Sequence, residues 1–327
     1  MKSLIIPVIT PVLPAEKDLA TALHTGKIIM HGAEGTLWEE VATNWVSQDF
    51  HDSCERLLST FADWASGILV WWTTGEWIGL WPLQYWALLS AMQRACPSNI
   101  SMYAGVLGGD NMVSDQIRSA QSLGIGNIVL GLNHTWNNTV RFQAALEALD
   151  TTSKLFLYNL PTFRPADKDF ILSCLEDPRV AWFKDSSGNE DFFSWLLSLK
   201  EAQKYFQVFH GSEPAYGELS VEEFERVDGL VSGNANVHPA LLQAYTNNPR
   251  HKVHIYARNE LHEQISRLSW RPKWSKEETI ETHIHGLKRR LTRLCVSPLN
   301  PKVTILSPWQ DALHSYKPGS LFQTYKG

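Results

Sequence analysis

Short apolar runs recur along the chain at strand length, and most are followed by a segment of helical periodicity. They fall at 4–10 (LIIPVIT), 67–72 (GILVWW), 100–106 (ISMYAGV), 127–132 (NIVLGL), 154–160 (KLFLYNL), 180–184 (VAWFK), 206–210 (FQVFH) and 229–233 (GLVSG). Each run is nearly continuous in apolar residues rather than alternating, as for parallel strands buried on both faces. The segments between them, such as 110–124 (DNMVSDQIRSAQSLG) and 189–206 (NEDFFSWLLSLKEAQKYF), carry amphipathic helical patterns. Eight strand–helix units in series predict an α/β chain folded as a (β/α)8 TIM barrel. A doubly wound open sheet is the competing architecture, but no G-x-G-x-x-G turn follows the first run.

From the second run onward the strands begin 23–33 residues apart, and the first interval is about twice that. Residues 14–50 are therefore expected to be an insertion between the first strand and its helix at about 51–65, as an added helix or a lid. After GNANVHP the strand rhythm stops. The expected domain division is a barrel over 1–236 and a C-terminal helical extension over 237–327.

Composition bounds the function. Of 327 residues, 44% are apolar and 19% charged, enough to bury a large core. The net charge of −5, with basic residues scattered apart from KRR at 288–290, argues against nucleic acid as a partner. No apolar stretch approaches the ~20 residues of a membrane span. The opening MKSLIIPVITPVLP is broken by prolines and lacks a small-residue cleavage site, so it reads as a strand rather than a signal peptide. Cys54, Cys96, Cys174 and Cys295 form no C-x-x-C pair and read as reduced thiols of a cytoplasmic protein. NHT and NNT, after position 132, are then chance matches to the glycosylation pattern. The histidines of HIH at 283–285 are two apart on a helical pattern and point to different faces, so no metal site is expected there.

In a (β/α)8 barrel the reactive groups stand at the carboxyl ends of the strands. Here those ends read TTGE (73–76), YNLP (158–161), Lys184 followed by DSSGN, HGSE (210–213) and SGNAN (232–236). A lysine at the mouth of an apolar barrel loses hydration, which favours its neutral form. Its ordinary pKa is ~10.4, and a nucleophilic lysine requires about 7–8. A neutral amine attacks a ketone, and the resulting iminium is an electron sink. The competing reading has Lys184 reaching out of the barrel or pairing with Asp185. Thr73, Thr74 and the turn at Gly75 supply hydroxyls and N–H groups suited to a carboxylate. The Tyr158 phenol donates and accepts protons. Pro161 stiffens the chain beyond it. Ser187 and Glu190 have capping-box spacing, which predicts a helix starting just after the lysine.

These motifs together resemble the dihydrodipicolinate synthase/N-acetylneuraminate lyase family of class I, Schiff-base-forming pyruvate aldolases. The resemblance runs through PVITPV (7–12), GILVWWTTGE (67–76), YNLP, FKDSSGN (183–189) and GLVSGNANVHP (229–239), in that order. It implies a carbon–carbon lyase with no metal or organic cofactor, acting on a small-molecule 2-oxo acid and an aldehyde. Lys184 would form the Schiff base with the keto carbon of pyruvate or a related 2-oxo acid, and Tyr158 would relay protons. Thr73, Thr74 and the Gly75 amide would hold the carboxylate, with Thr73 also touching the Tyr158 hydroxyl. The carbonyl near Val231 would line the pocket. Glu76 would anchor from behind, Glu213 would align with an acidic residue that contacts sugar hydroxyls, and Arg164 would lie near an arginine for a second substrate carboxylate. The resemblance also implies a homo-oligomer, a dimer or tetramer.

The chain departs from the family pattern at two places. Trp72 replaces the glycine usual before TTGE, and 131–138 (GLNHTWNN) lacks the Pro-Tyr-Tyr of the synthase branch, so His134 or Trp136 would occupy that space. These departures argue against an ordinary dihydrodipicolinate synthase. They leave three alternatives beside the aldolase: a 4-hydroxy-tetrahydrodipicolinate synthase-like enzyme, a hydratase, and a catalytically weak binding or regulatory relative.

Overall fold

The computed structural model describes residues 4–9, 52, 54–55, 58–59, 61, 65–70, 82–107, 112–132, 136–159, 165–203, 206–212, 219–233, 235 and 242. The expected insertion at 14–50 and nearly all of the expected C-terminal extension lie outside these residues, as do Cys295 and the HIH stretch.

The eight strands are β1 (Leu4–Ile9), β2 (Gly67–Val70), β3 (Ser101–Val106), β4 (Asn127–Leu132), β5 (Lys154–Asn159), β6 (Val180–Asp185), β7 (Gln207–His210) and β8 (Gly229–Ser232). Each pairs in parallel with its neighbour in chain order, and β8 returns to β1, so the sheet closes into a barrel. Every strand in the expected series is present, within two residues of its expected ends. The described helices are α1 (Pro82–Ala95), α2 (Val113–Ser122), α3 (Asn138–Ala148), α4 (Lys168–Leu175), α5 (Glu190–Gln203) and α6 (Val221–Arg226).

Local chemistry sets the ends of these elements. Proline is tolerated where α1 begins, at Pro82, because the first N–H groups of a helix lack intrahelical partners. In α2 the buried positions Val113, Gln116, Ile117 and Ala120 follow helical spacing. Beyond α2, Gly124 takes φ 76°, and the Gly124 and Ile125 amides donate to the Gln121 and Ala120 carbonyls, a glycine-dependent stop. Asn137 and Asp167 cap α3 and α4 through their side chains, and Ser220 with Glu223 forms a capping box at α6.

The expected box between Ser187 and Glu190 does not form. Asn189 caps α5 instead, its Oδ1 accepting from the Phe192 amide at 2.9 Å. Ser187 is recruited by the buried Asp185 carboxylate, and Gly188, at φ 69°, turns the chain between the two tasks.

Side chains alternate between the barrel interior and the helices. Inside, Tyr103, Phe156, Trp182 and Phe209 stack across β3, β5, β6 and β7. Their ring centroids are 5.2 Å apart for Tyr103–Phe156, 4.3 Å for Phe156–Trp182 and 4.9 Å for Trp182–Phe209. Such contacts add about 0.5–1.5 kcal/mol each beyond burial. On the outer face Phe183 packs on Phe192 of α5, and Phe193 meets His210 edge-on. This parity fixes which residues of the strand ends face the mouth.

Candidate active site

The site stands on the aromatic stack, at the carboxyl ends of β5 and β6. Tyr158 is paired in register with Lys184, and Asn159 with Asp185. Lys184 shares the interior parity of Trp182, and Tyr158 that of Phe156. Both side chains are buried, Lys184 to 2% exposure and Tyr158 to 1%. The Lys184 Nζ lies 3.9 Å from the centre of the Tyr158 ring. The lysine therefore does not reach out of the barrel; its amine is desolvated against an aromatic face.

The neighbouring strand leaves room for it. Lys184 pairs with Phe209 on β7. Two residues on, at Gly211, an added Cβ would overlap both Lys184 Cε and Ser186 Oγ. The bare backbone of a glycine leaves these two side chains the space they occupy. Ser186 is 2% exposed, and its Oγ has no hydrogen-bond partner among the described residues. A buried hydroxyl left unsatisfied costs about 1–3 kcal/mol. It stands beside the lysine stem, on the same face of the strand.

Asp185 and Asn159 point the other way. Asn159 Nδ2 donates to Asp185 Oδ1 at 2.8 Å. The Ser187 amide donates to the same oxygen at 3.2 Å, and Ser187 Oγ donates to Oδ2 at 3.1 Å. Asn159 Oδ1 accepts from the Ala166 amide at 3.0 Å, which ties Ala166 to the strand end. Burial pushes the Asp185 carboxyl up to about 6, while the Asn159 and Ser187 hydrogen bonds and the Lys184 charge pull it down. Burial, aided by the Lys184 charge, depresses His210 on β7 to about 3, so its imidazole is neutral at pH 7.

On the β4 side, Trp136 and Leu107 both lie against the position a Cβ would take at Gly131, which is paired with Tyr158. The fully buried Arg141 guanidinium sits 4.3 Å from the Trp136 ring centre, and its Nε donates to the Gly131 carbonyl at 3.4 Å. Trp136 thus stands at the end of β4, where the sequence lacks the tyrosines; His134 lies outside the described residues. Val231, buried in β8 and paired with Ile6, shares the interior parity of Phe209 and Gly229.

The structure brings Lys184 and Tyr158 together and sets Val231 on the interior face of β8. Trp72, Thr73, Thr74, Gly75, Glu76, Arg164 and Glu213 fall outside the described residues. Sequence reasoning missed Ser186, Gly211 and the Asn159–Asp185 pair. The signals were present: Ser186 is two residues beyond the lysine, so strand parity turns it to the same face. Cys54, Cys96 and Cys174 are free thiols, with burial pushing Cys54 up to about 12. Among the described residues no group of histidine, cysteine, aspartate and glutamate is arranged to hold a metal ion, and no helix is long and apolar enough to cross a membrane.

No protein-family model matches the chain, and no curated protein sequence matches it. Solved structures do. Dihydrodipicolinate synthase from Bacteroides thetaiotaomicron superposes with a TM-score of 0.63 at 19% identity, covering 95% of this chain and 98% of that one. Ruminococcus gnavus sialic acid aldolase gives 0.62 at 12% identity, over 89% and 99%. YagE of Escherichia coli K12, a dihydrodipicolinic acid synthase family protein solved in complex with pyruvate, gives 0.62 at 16% identity, over 94% and 92%. At these identities the likeness establishes architecture: the chain has the closed (β/α)8 barrel fold of the dihydrodipicolinate synthase and sialic acid aldolase structures.

Proposed function

We propose that this protein is a Schiff-base-forming aldolase or lyase acting on pyruvate or a related 2-oxo acid, which it adds to or releases from an aldehyde. The observation that carries the reading is the Lys184 amine, buried to 2% exposure and seated on the Tyr158 ring at the mouth of the barrel. Structural relatives named a synthase and an aldolase, and one solved with pyruvate, support it.

In this reading the Lys184 amine, in its uncharged form, attacks the keto carbon to give a carbinolamine, which loses water to form an iminium. Loss of a proton from the adjacent carbon gives an enamine, and that carbon forms the new bond to the aldehyde carbonyl. The nascent alkoxide takes up a proton, and water then releases the product and restores the amine. The lyase direction is the same sequence reversed. Tyr158 relays protons to and from the carbinolamine and the aldol hydroxyl. Thr73, Thr74 and the Gly75 amide hold the 2-oxo acid carboxylate, and Glu213 and Arg164 face the acceptor. Ser186 supplies a further hydroxyl beside the lysine. The iminium formed on Lys184 is the electron sink, so the reaction takes no metal or organic cofactor. The enzyme acts in the cytoplasm as a homo-oligomer.

Incubation with pyruvate followed by borohydride reduction tests the assignment. The expected result is a mass gain on Lys184 that is absent in Lys184→Ala. No adduct with any small 2-oxo acid overturns it in favour of a binding relative. An aldehyde panel with product analysis then separates an aldolase from a hydratase or a synthase-like enzyme.

A further inference from the structure

We propose that Asp185 is a positioning residue: through a buried clip with Asn159 and Ser187 on the outer face of the strands, it holds the Lys184 amine against the Tyr158 ring on the inner face. For its kinetic consequence this rests on the Schiff-base reading of Lys184.

Register places the clip. Tyr158 and Lys184 are the second-last residues of β5 and β6, and Asn159 and Asp185 are the last. Beyond them, among the described residues, two ladder-like bonds continue, from the Ser186 amide to the Asn159 carbonyl at 3.0 Å and from the Gly211 amide to the Asp185 carbonyl at 2.8 Å. Gly188 then turns the chain away. Strand ends are where the backbone is least constrained by its neighbours, yet here they carry the two groups whose separation matters most. The side-chain clip supplies the missing constraint. Asp185 takes one donor from Asn159 on the adjacent strand and two from Ser187, just past the end of its own strand. The carboxylate is thereby fixed in position and in rotation. An apolar pair would join the strands without a desolvation cost but would fix neither strand's twist. Successive side chains point to opposite faces, so fixing residue 185 on the outside sets the direction of residue 184 on the inside.

The test uses three variants of the full chain. Asp185→Ala removes the clip. Asp185→Asn keeps an acceptor for Asn159 and the Ser187 amide. Ser187→Ala removes the bond its Oγ donates to Asp185 Oδ2 together with the one it accepts from the Asn189 amide, and serves if Asp185→Ala does not fold. The first readout is the rate of borohydride-trapped pyruvate adduct against pyruvate concentration. Misplacement by about 1 Å costs on the order of 10²-fold in such steps, so Asp185→Ala is expected to slow the limiting trapping rate by about 10–100-fold. The half-saturating pyruvate concentration changes little, and Asp185→Asn recovers to within about fivefold of the original rate. The second readout needs no reaction. With 13C at lysine Cε, the Lys184 signal (assigned by its loss in Lys184→Arg) is expected to show the upfield displacement of protons above a ring. That displacement persists in Asp185→Asn and shrinks in Asp185→Ala and, by less, in Ser187→Ala.

An unchanged Lys184 signal in folded Asp185→Ala or Ser187→Ala overturns the proposal. So does an Asp185→Asn that is as impaired as Asp185→Ala, because charge rather than hydrogen-bond geometry would then be at work. Should the unmodified protein trap no 2-oxo acid, the Schiff-base reading falls, and the Lys184 signal still decides the clip.

Discussion

The Lys184 Nζ rests 3.9 Å from the centre of the Tyr158 ring, on adjacent strands and at paired positions of the barrel. The two groups share the interior face because their register is the same and strand parity does the rest. This closeness separates two roles of Tyr158, as an apolar seat for the amine and as a proton carrier. Tyr158→Phe keeps the ring and removes the hydroxyl. The pyruvate adduct is expected to form still but more slowly, because the phenol also serves the carbinolamine, while turnover with an aldehyde, which needs it at both steps, falls by about 10²–10⁴-fold, the usual contribution of a positioned acid or base. Adduct trapping and steady-state assay of the same preparation check it; unchanged rates in both would leave Tyr158 with the seating role alone.

Ser186 makes an opposite demand on stability and on function. Its buried Oγ has no hydrogen-bond partner among the described residues. Ser186→Ala removes an unsatisfied group and is expected to leave stability unchanged or raise it by about 1 kcal/mol. The same change removes the hydroxyl beside the lysine stem and is expected to raise the half-saturating substrate concentration several-fold. Urea denaturation and steady-state kinetics provide the two numbers. A loss of stability would show that the hydroxyl is bonded within the fold.

The barrel was legible because its strands are buried on both faces. Near-continuous apolar runs at regular spacing suit parallel strands alternating with helices and little else, and the runs at 127–132 and 154–160 became β4 and β5 almost without change. The lysine was legible for a related reason, as a charged group closing an apolar run. What the sequence concealed is what lies between strands. Asn159 and Asp185 are 26 positions apart and bond only because the register pairs them. Ser187 reads as a helix cap by spacing, and it became a donor to Asp185 because a buried carboxylate outcompetes a helix start that Asn189 also serves. Gly211 looks like an ordinary turn residue until Lys184 and Ser186 are seen against it.

Gly211 sets a steric limit on the site. An added methyl there meets the far part of the Lys184 side chain and the Ser186 hydroxyl, both able to swing aside. Gly211→Ala is therefore expected to fold, with a cost of about 1–3 kcal/mol for overpacking, and to slow pyruvate adduct formation by about 10–100-fold through the displaced amine. Gly67→Ala is the contrast. Its methyl meets the Tyr103 ring and the Ser101 carbonyl oxygen, 2.7 Å away, and a backbone atom cannot rotate aside. That variant is expected to lose more stability and to keep the site geometry in whatever fraction folds. Melting curves and trapping rates of the two variants check the pair; a Gly211→Ala that traps at the original rate would move the amine away from β7.

Two buried titrations of opposite sign fix the acid limb of stability. Asp185 is raised from 3.8 to about 6, chiefly by burial, so the folded state holds this proton to higher pH than the unfolded chain. Its contribution is fully present below about 3.8 and is lost as pH rises through about 6. His210 is lowered from 6.5 to about 3, again chiefly by burial, so the unfolded chain protonates first. Its contribution is present above about 6.5 and is lost as pH falls toward about 3. Between pH 6 and 4 the two slopes oppose each other. His210→Gln removes the histidine slope, so its stability relative to the original chain is expected to rise on acidification through this window. Asp185→Asn removes the carboxyl slope, so its relative stability is expected to fall through the same window. Urea midpoints for the three proteins at half-unit steps from pH 7 to 4 measure both differences, and parallel curves would mean that neither group titrates differently in the folded and unfolded chains.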